Sequence, residues 1–151
     1  MNRRTYPILL FLIITTISVR AQKANYSGRW VLDMEKSSLQ SKPEGLTSSI
    51  FIIKQTGNTL RLVRYHIKGA KEHKIGFKMH ADGKTRRVKI LFKGKLEWEE
   101  QHLVASLWRK NFSNIVVYKF GIDSNELIAD ETFKSPGDNH HNIWVFQKRP
   151  E

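Results

Sequence analysis

The segment Ser27-Gly28-Arg29-Trp30-Val31-Leu32-Asp33 decides the fold, because it opens a long series of short stretches in which apolar and polar residues alternate. Turn residues interrupt this alternation about every 8 to 12 positions, which is typical of antiparallel all-β sandwiches and barrels. No stretch shows a sustained helical pattern. Most connections are tight turns, whereas a Greek-key sandwich needs longer crossovers. The sequence therefore predicts one antiparallel up-and-down β-barrel of about 8–10 strands.

The alternation also predicts where individual strands begin and end. Residues 36–45 are polar and contain Pro43 and Gly45, so we expect a loop there, with room for one helical turn. The predicted strands cover residues 26–33, 48–55, 59–68, 72–80, 85–93, 95–99, 102–109, 114–120, 126–134 and 141–148.

Two local signals add detail to this strand pattern. The dipeptide Asp82-Gly83 is a strong turn signal, so it predicts a hairpin that pairs the fourth and fifth predicted strands. The apolar phase of the third strand slips between Leu62 and Val63, which predicts a β-bulge at this point.

Residues 1–21 have the three parts of a cleavable secretory signal peptide. Two early arginines precede an apolar run over residues 8–19, which is shorter than the roughly 20 residues that span a bilayer. Residues 19–21 resemble a signal-peptidase site, and we place the cut after Ala21. No cysteine stands at the cut, so a lipid anchor is not expected. A buried N-terminal helix is the alternative interpretation.

The remaining residues, 22–151, are predicted to form one lipocalin-like domain, long enough to bury its own core. The chain contains no cysteine. Exported eukaryotic domains of this size often carry disulfides, so this composition predicts a bacterial protein that is periplasmic or secreted. It also excludes thiol chemistry and cysteine-based zinc sites. We expect a monomer with no transmembrane segment in the mature protein.

The charge balance is strongly basic. The chain carries a formal charge of +12, and cleavage would remove Arg3, Arg4 and Arg20 and leave +9. A basic surface attracts anionic partners, which outside the cytoplasm are lipid head groups, acidic polysaccharides or acidic proteins. Nucleic acid is not an expected partner in that compartment. The alternative is that these charges only keep the outer face of the sheet solvated.

The opening segment, followed by Lys36-Ser37, resembles the first strand and loop of small lipocalin-like proteins of the calycin type. In that family the glycine lets the backbone pass closely at the barrel floor and the tryptophan closes it. The resemblance therefore implies that Gly28 and Trp30 are structural residues of the barrel floor. It also implies a basic residue stacked on the tryptophan, for which Lys148 and Arg149 are the candidates.

The C-terminal residues 144–148, Trp-Val-Phe-Gln-Lys, resemble the strand that closes such barrels by pairing with the first strand. The chain departs from the larger lipocalins, since it has neither a Thr-Asp-Tyr motif nor a disulfide nor room for a C-terminal helix. It also lacks, in its last strand, the Arg-x-Tyr pattern with which fatty-acid-binding relatives hold a carboxylate.

No motif for catalysis, a cofactor or a metal is present in the sequence. The six histidines lack ligand spacing, because His140 and His141 are adjacent and residues 66, 73 and 80 repeat every seven positions. Glu97 and Glu99 share a strand face, but their polar neighbours indicate a solvated edge rather than a carboxylate pair. The sequence therefore predicts a non-enzyme without a cofactor or a metal.

Two functions fit these observations. The first is a binding protein that holds a small hydrophobic or amphipathic molecule inside the barrel; a barrel of this size either fills its interior with side chains or leaves room for one ligand. The second is a cell-envelope protein that binds anionic lipid, polysaccharide or protein through a basic outer face. The residues predicted to form that basic patch are Lys74, Lys78, Arg87, Lys89 and Lys93.

Overall fold

The computed structural model describes residues 23–150, and the predicted signal peptide lies outside them. Within that range no helix is long and apolar enough to cross a bilayer. The described chain is all-β. Its ten strands are β1 (Gly28–Leu39), β2 (Leu46–Thr56), β3 (Thr59–Lys68), β4 (Lys71–His80), β5 (Arg86–Lys89), β6 (Phe92–Glu99), β7 (His102–Arg109), β8 (Phe112–Phe120), β9 (Glu126–Ser135) and β10 (Asp138–Arg149).

The ten strands form one antiparallel sheet that curls into a nearly closed barrel. Their spatial order is β4-β3-β2-β1-β10-β9-β8-β7-β6-β5, so every strand except β1 and β10 pairs only with its sequence neighbours. The first and last strands close the sheet from Arg29 opposite Arg149 to Leu39 opposite Asn142. The prediction of an up-and-down barrel is confirmed.

The barrel is open between β4 and β5. The prediction of a hairpin at Asp82-Gly83 is therefore wrong. No ladder joins these two strands, which are the outer members of the sheet. Instead the chain turns a corner at Asp82, where Arg86 donates two hydrogen bonds to the carboxylate at 2.6 and 2.5 Å. Ala81 forms a single bridge to Leu96, and β5 pairs with β6 across a turn at Ile90.

Two further sequence predictions are corrected. Residues 36–39, predicted as part of a loop, continue β1, because Ser38 and Leu39 pair with β10 after a register shift. The bulge predicted between Leu62 and Val63 is absent from the ladder of β2 and β3, whose register is regular there and shifts only near Leu46. The apolar phase slips at Leu62 because the next two inward positions of β3 carry polar side chains.

One end of the barrel is closed by a packed floor. Trp30 is fully buried there, and its indole nitrogen donates a 3.0 Å hydrogen bond to the carbonyl of Tyr26. The Lys148 ammonium lies 5.3 Å from the centre of the Trp30 ring. Gly28 has a φ of +146°, and a β-carbon at this position would lie 2.9 Å from Lys148 Cε. A side chain at residue 28 would therefore strain the backbone and displace the lysine.

Apolar side chains from all around the sheet fill the half of the lumen above this floor. The fully buried members of this layer are Ile53, Leu60, Leu96, Leu103, Leu127 and Phe146. Tyr26 links this layer to β8 and to the β6–β7 turn, because its hydroxyl donates to the Tyr118 carbonyl at 2.9 Å and lies 3.3 Å from the Gln101 carbonyl, a second acceptor for the same proton. The half of the lumen next to the opposite end contains the cavity described below.

Candidate ligand site in the barrel lumen

A cavity of about 270 Å³ lies in the lumen between β2–β4 on one side and β7–β9 on the other. Its walls are of two kinds, apolar and polar. The apolar residues are Phe51, Leu62, Ile75, Phe77, Ala105, Leu107 and Val116, and the polar residues are Arg64, His66, Asn114, Tyr118 and Glu131. An interior with both kinds of wall suits an amphipathic molecule.

Arg64 supplies a positive charge inside the barrel. It shares the inward face of β3 with Leu60 and Leu62, as the period of two requires. The guanidinium lies 4.2 Å from the centre of the Trp144 ring, and its Nε donates to the Ser49 hydroxyl at 3.2 Å. Burial lowers the pKa of Arg64 and nearby Glu131 offsets this effect, but an arginine remains protonated in proteins.

Glu131 supplies the opposite charge and is held by three donors. Asn114 donates to one carboxylate oxygen at 2.8 Å, while Trp144 and Asn142 donate to the other at 2.6 and 3.3 Å. Burial opposes ionisation of Glu131, yet these hydrogen bonds and the charge of Arg64 together lower its pKa. The carboxylate is therefore ionised near neutral pH, and the charges of Arg64 and Glu131 balance.

Three of the residues that line the cavity each have a buried polar atom with no hydrogen-bond partner among residues 23–150. The atoms are Arg64 Nη2, His66 Nδ1 and Asn114 Oδ1. Buried polar atoms are nearly always paired in folded proteins, so this part of the lumen has unused hydrogen-bonding capacity. Arg64 offers a charged donor, which forms the stronger hydrogen bonds.

Two other side chains of the cavity are uncharged at neutral pH. Burial is the main cause that lowers the pKa of His66 to about 4, with a smaller effect from Arg64. Burial also raises the pKa of the Tyr118 hydroxyl to about 12. Arg64 is therefore the cation that an anionic head group would meet in this cavity.

Aromatic side chains form a collar at the open end of the lumen, above the cavity. Phe92, Phe112, Phe133 and His140 follow one another across β6, β8, β9 and β10, with ring centres 4.5 to 5.4 Å apart. The Arg109 guanidinium lies 5.0 Å from the Phe92 ring and 5.7 Å from the Phe112 ring. The entrance is therefore apolar with a cation at its edge.

The five lysines and arginines of the predicted basic patch do not form one continuous hairpin surface. Lys74 and Lys78 lie on β4, and Arg87, Lys89 and Lys93 lie on the hairpin of β5 and β6, across the open seam of the barrel. Lys89 Nζ lies 5.4 Å from the Phe77 ring and so spans the seam. Binding of an anionic partner by these residues stays a prediction.

The remaining candidates considered in the sequence have ordinary surroundings. Glu97 forms an ion pair with Lys95, and His140 and His141 each contact a different aspartate. No group of three or more metal-binding side chains occurs in the described part of the chain.

The sequence analysis missed Arg64 and Glu131, although the period of two contains the signal that finds them. Counting inward positions from Leu60 along β3 reaches Arg64, and counting from Leu127 along β9 reaches Glu131. A charged residue at an inward position of a buried strand is uncommon unless it is paired or functional.

Comparison with solved structures places this fold among fatty-acid-binding-protein-like, or calycin-like, β-barrels. The wild-type fluorescent protein UnaG has a TM-score of 0.60 and 13% identity, with 82% of this chain and 97% of that chain covered. Fatty-acid-binding protein 1 of Echinococcus granulosus has a TM-score of 0.56 and 14% identity, with coverage of 83% and 98%. Zebrafish ileal bile acid-binding protein, complexed with cholic acid, has a TM-score of 0.53 and 13% identity, with coverage of 82% and 98%.

At these identities the likeness establishes the fold alone. No protein-family model matches the chain. No curated protein matches it significantly either.

Proposed function

We propose that the protein is a non-catalytic binding protein that holds one small amphipathic molecule in its lumen, with an anionic or hydrogen-bond-accepting head group at Arg64. The observation that carries this proposal is Arg64, a cation that lines an otherwise largely apolar cavity and whose buried Nη2 atom has no hydrogen-bond partner among residues 23–150. Two structural neighbours are a fatty-acid-binding protein and a bile acid-binding protein, which supports the same class of ligand.

The size of the cavity limits the ligand. Its 270 Å³ exceeds the engineered cavity of about 150 Å³ that binds benzene, and it lies just below the range of about 300–1,000 Å³ for small-molecule sites. A medium-length chain or a compact ring system fits better than a long, fully enclosed acyl chain. A longer tail would continue past the aromatic collar of Phe92, Phe112 and Phe133.

The orientation of the ligand follows from the layers of the lumen. The floor layer around Trp30 is filled, so no tail can extend below Arg64. The apolar wall on the open side includes Ile75 and Leu107, and the aromatic collar lies above it. The head group therefore binds innermost and the tail points to the open end.

Glu131 limits the charge of the head group. With Glu131 ionised, the empty site is neutral, and a monoanion gives it one net negative charge. A dianion would add a second uncompensated charge in a partly desolvated space, which is costly. Monocarboxylates and neutral acceptors are therefore the preferred head groups.

The proposal includes export from the cytoplasm of a bacterial cell, with cleavage after Ala21. It is supported by the charged start, the short apolar run and the cleavage-like end of residues 1–21. N-terminal sequencing of the protein from its natural source should begin at Gln22. An N-terminus at residue 1 in the cytoplasmic fraction would contradict export and would leave the lumen proposal untouched.

Ligand binding is tested by titrating the delipidated protein with decanoate and with decanol in a calorimeter, beside native mass spectrometry of the protein from its natural source. The variant Arg64→Met should weaken decanoate binding roughly tenfold to a hundredfold, which is the value of one charged hydrogen bond. Decanol binding should weaken less, because its neutral hydroxyl loses a hydrogen bond to Arg64 but no attraction between opposite charges.

Arg61→Met is the matched control for this experiment. Arg61 lies on the same strand as Arg64 but points outward and is exposed, so its loss should leave both ligands unaffected. The proposal fails if no species copurifies and neither ligand binds, or if Arg61→Met and Arg64→Met weaken decanoate binding equally.

A further inference from the structure

Two large apolar side chains project into solvent at the tip of the β5–β6 hairpin. These residues are Ile90, which is 80% exposed, and Leu91, which is 69% exposed, and together they form the turn between β5 and β6. The turn is well held, since the Arg87 guanidinium donates to the Ile90 carbonyl through Nε at 3.0 Å and Nη2 at 2.5 Å. Neighbouring exposed apolar residues on a held turn are costly in water unless another surface covers them.

Cations surround this apolar tip. Ile90 and Leu91 line a shallow concavity together with Arg87 and Lys93, while Arg86 on the same wall is paired with Asp82. An apolar tip with cations beside it matches the interface of an anionic bilayer, where side chains enter the acyl region and cations meet the phosphates.

The whole open end of the barrel carries the same charge. Because the strands alternate in direction, five connections lie at this end: residues 40–45, 69–70, 90–91, 110–111 and 136–137. Within three residues of them there are nine cations and three acidic residues. The cations are Lys42, Lys68, Lys71, Arg87, Lys89, Lys93, Arg109, Lys110 and Lys134, and the acidic residues are Glu44, Glu72 and Asp138.

The opposite end is also basic. Within three residues of its connections at 57–58, 81–85, 100–101 and 121–125 there are seven cations, Arg87 being counted at both ends, and six acidic residues. The cations are Lys54, Arg61, Lys78, Lys84, Arg86, Arg87 and Lys119, and the acidic residues are Asp82, Glu97, Glu99, Glu100, Asp123 and Glu126. The start of β1 and the end of β10 add Lys23, Arg29, Lys148 and Arg149 at this end. Charge alone therefore does not distinguish the two ends, and the exposed apolar pair Ile90 and Leu91 is what sets the open end apart.

We infer that the open end docks on an anionic lipid bilayer, with Ile90 and Leu91 inserted at the interface and the surrounding cations on the lipid phosphates. A purely electrostatic partner, such as an acidic polysaccharide, would use the cations but leave the two apolar side chains in water. The apolar tip is what favours a membrane. Docking in this orientation brings the collar of Phe92, Phe112 and Phe133 against the lipid surface.

The closed end supplies a matched control. Ile122 is fully exposed in the turn between β8 and β9, but it is a single apolar residue beside Asp123. Removing it changes the exposed apolar surface without touching the open end.

The test is cosedimentation with vesicles of phosphatidylcholine and phosphatidylglycerol in a three-to-one ratio, beside vesicles of phosphatidylcholine alone. The protein should bind the anionic vesicles, and binding should weaken as the Debye length falls from about 10 Å at 0.1 M salt to about 3 Å at 1 M. The double variant Ile90→Ser/Leu91→Ser should lose roughly tenfold or more of this binding, since two apolar side chains no longer leave water. Ile122→Ser and Arg64→Met should bind as the wild type does.

Three outcomes would overturn the inference. They are failure to bind anionic vesicles, equal losses in Ile90→Ser/Leu91→Ser and Ile122→Ser, or binding to dextran sulfate as tight as to vesicles and insensitive to the tip variant. Because Arg64→Met removes the lumen head-group site without altering the open end, failure of the ligand proposal and failure of membrane docking give different results.

Discussion

The substitution Glu131→Gln tests the electrostatic design of the lumen, because it should change stability and ligand affinity in opposite directions. It keeps the shape of the side chain but removes the charge that accepts hydrogen bonds from Asn114, Asn142 and Trp144. It also leaves the guanidinium of Arg64 as the uncompensated charge of the cavity.

The cost in stability has two parts. A hydrogen bond to a charged group contributes about 1.5–3 kcal/mol and a neutral one about 0.5–1.5 kcal/mol. Asn114 can limit the loss, since its unpartnered Oδ1 can turn to accept from the new amide. The second part of the cost is that the buried charge of Arg64 no longer has an opposite charge nearby. Together, these effects should make Glu131→Gln lower the free energy of unfolding by about 2–4 kcal/mol.

The same substitution should raise the affinity of the lumen for anionic ligands and leave its affinity for neutral ligands unchanged. The lumen of the variant carries one net positive charge, so decanoate should bind more tightly to it than to the wild type, while decanol should not. Urea denaturation gives the first quantity and calorimetric titration the second. Glu126→Gln, on the same strand but at the closed end, is the control; Glu126 pairs with the exposed Lys36, so this change should cost much less stability than Glu131→Gln. Unchanged stability, or weaker decanoate binding in Glu131→Gln, would refute the reasoning.

Three other changes probe the remaining parts of the fold. The pKa of His66 is about 4 in the folded state and about 6.5 in the unfolded state, so the unfolded state binds more protons between these two pH values. The free energy of unfolding should therefore fall as the pH drops from about 6.5 to about 4. The variant His66→Gln should flatten this part of the plot of urea midpoint against pH, and an unchanged slope would count against a buried neutral imidazole. Trp30→Ala should cost about 3–5 kcal/mol in urea denaturation, because it empties the floor; a loss below about 1 kcal/mol would contradict a filled floor. Gly94→Ala should lower the free energy of unfolding by about 1–3 kcal/mol, because the added β-carbon would lie 2.5 Å from Val88 Cγ2 and 3.2 Å from Met79 Cε. Adding Val88→Ala to this variant should recover part of the lost stability. If the effects of the two substitutions simply added, the clash with Val88 would be excluded.

The sequence was most informative where local patterning and pairing agree. The bounds of β3 and β7 match the predicted ranges, because each strand begins and ends at a tight turn. The extension of β1 through residues 36–39 could not be seen locally, since Lys36, Ser37 and Ser38 are polar and the strand continues because Ser38 and Leu39 pair with β10.

The turn at Ile90 could not be predicted from the local sequence for a related reason. It contains no glycine, proline or asparagine, and the Arg87 side chain holds it through hydrogen bonds to its backbone. A strong turn signal at Asp82-Gly83 then suggested a hairpin where the barrel has its open seam. Turn propensity indicates that the chain bends, but which strands pair is decided by the whole sheet.

The interior site was misread because polar inward positions look like a defect in the pattern. The phase slip after Leu62 was interpreted as a bulge, and the structure shows an unbroken ladder with Arg64 and His66 facing the lumen. A slip of apolar phase in a strand of a predicted barrel therefore has two explanations, a bulge or a polar interior, and only the second predicts a ligand site.

A crystal structure of the decanoate complex would show whether an anionic head group binds at Arg64 inside the lumen. We expect one decanoate per barrel, with its carboxylate within hydrogen-bond distance of the Arg64 guanidinium and its tail between Ile75 and Leu107, pointing to the open end. A decanoate bound only outside the barrel, with the lumen unchanged, would contradict it.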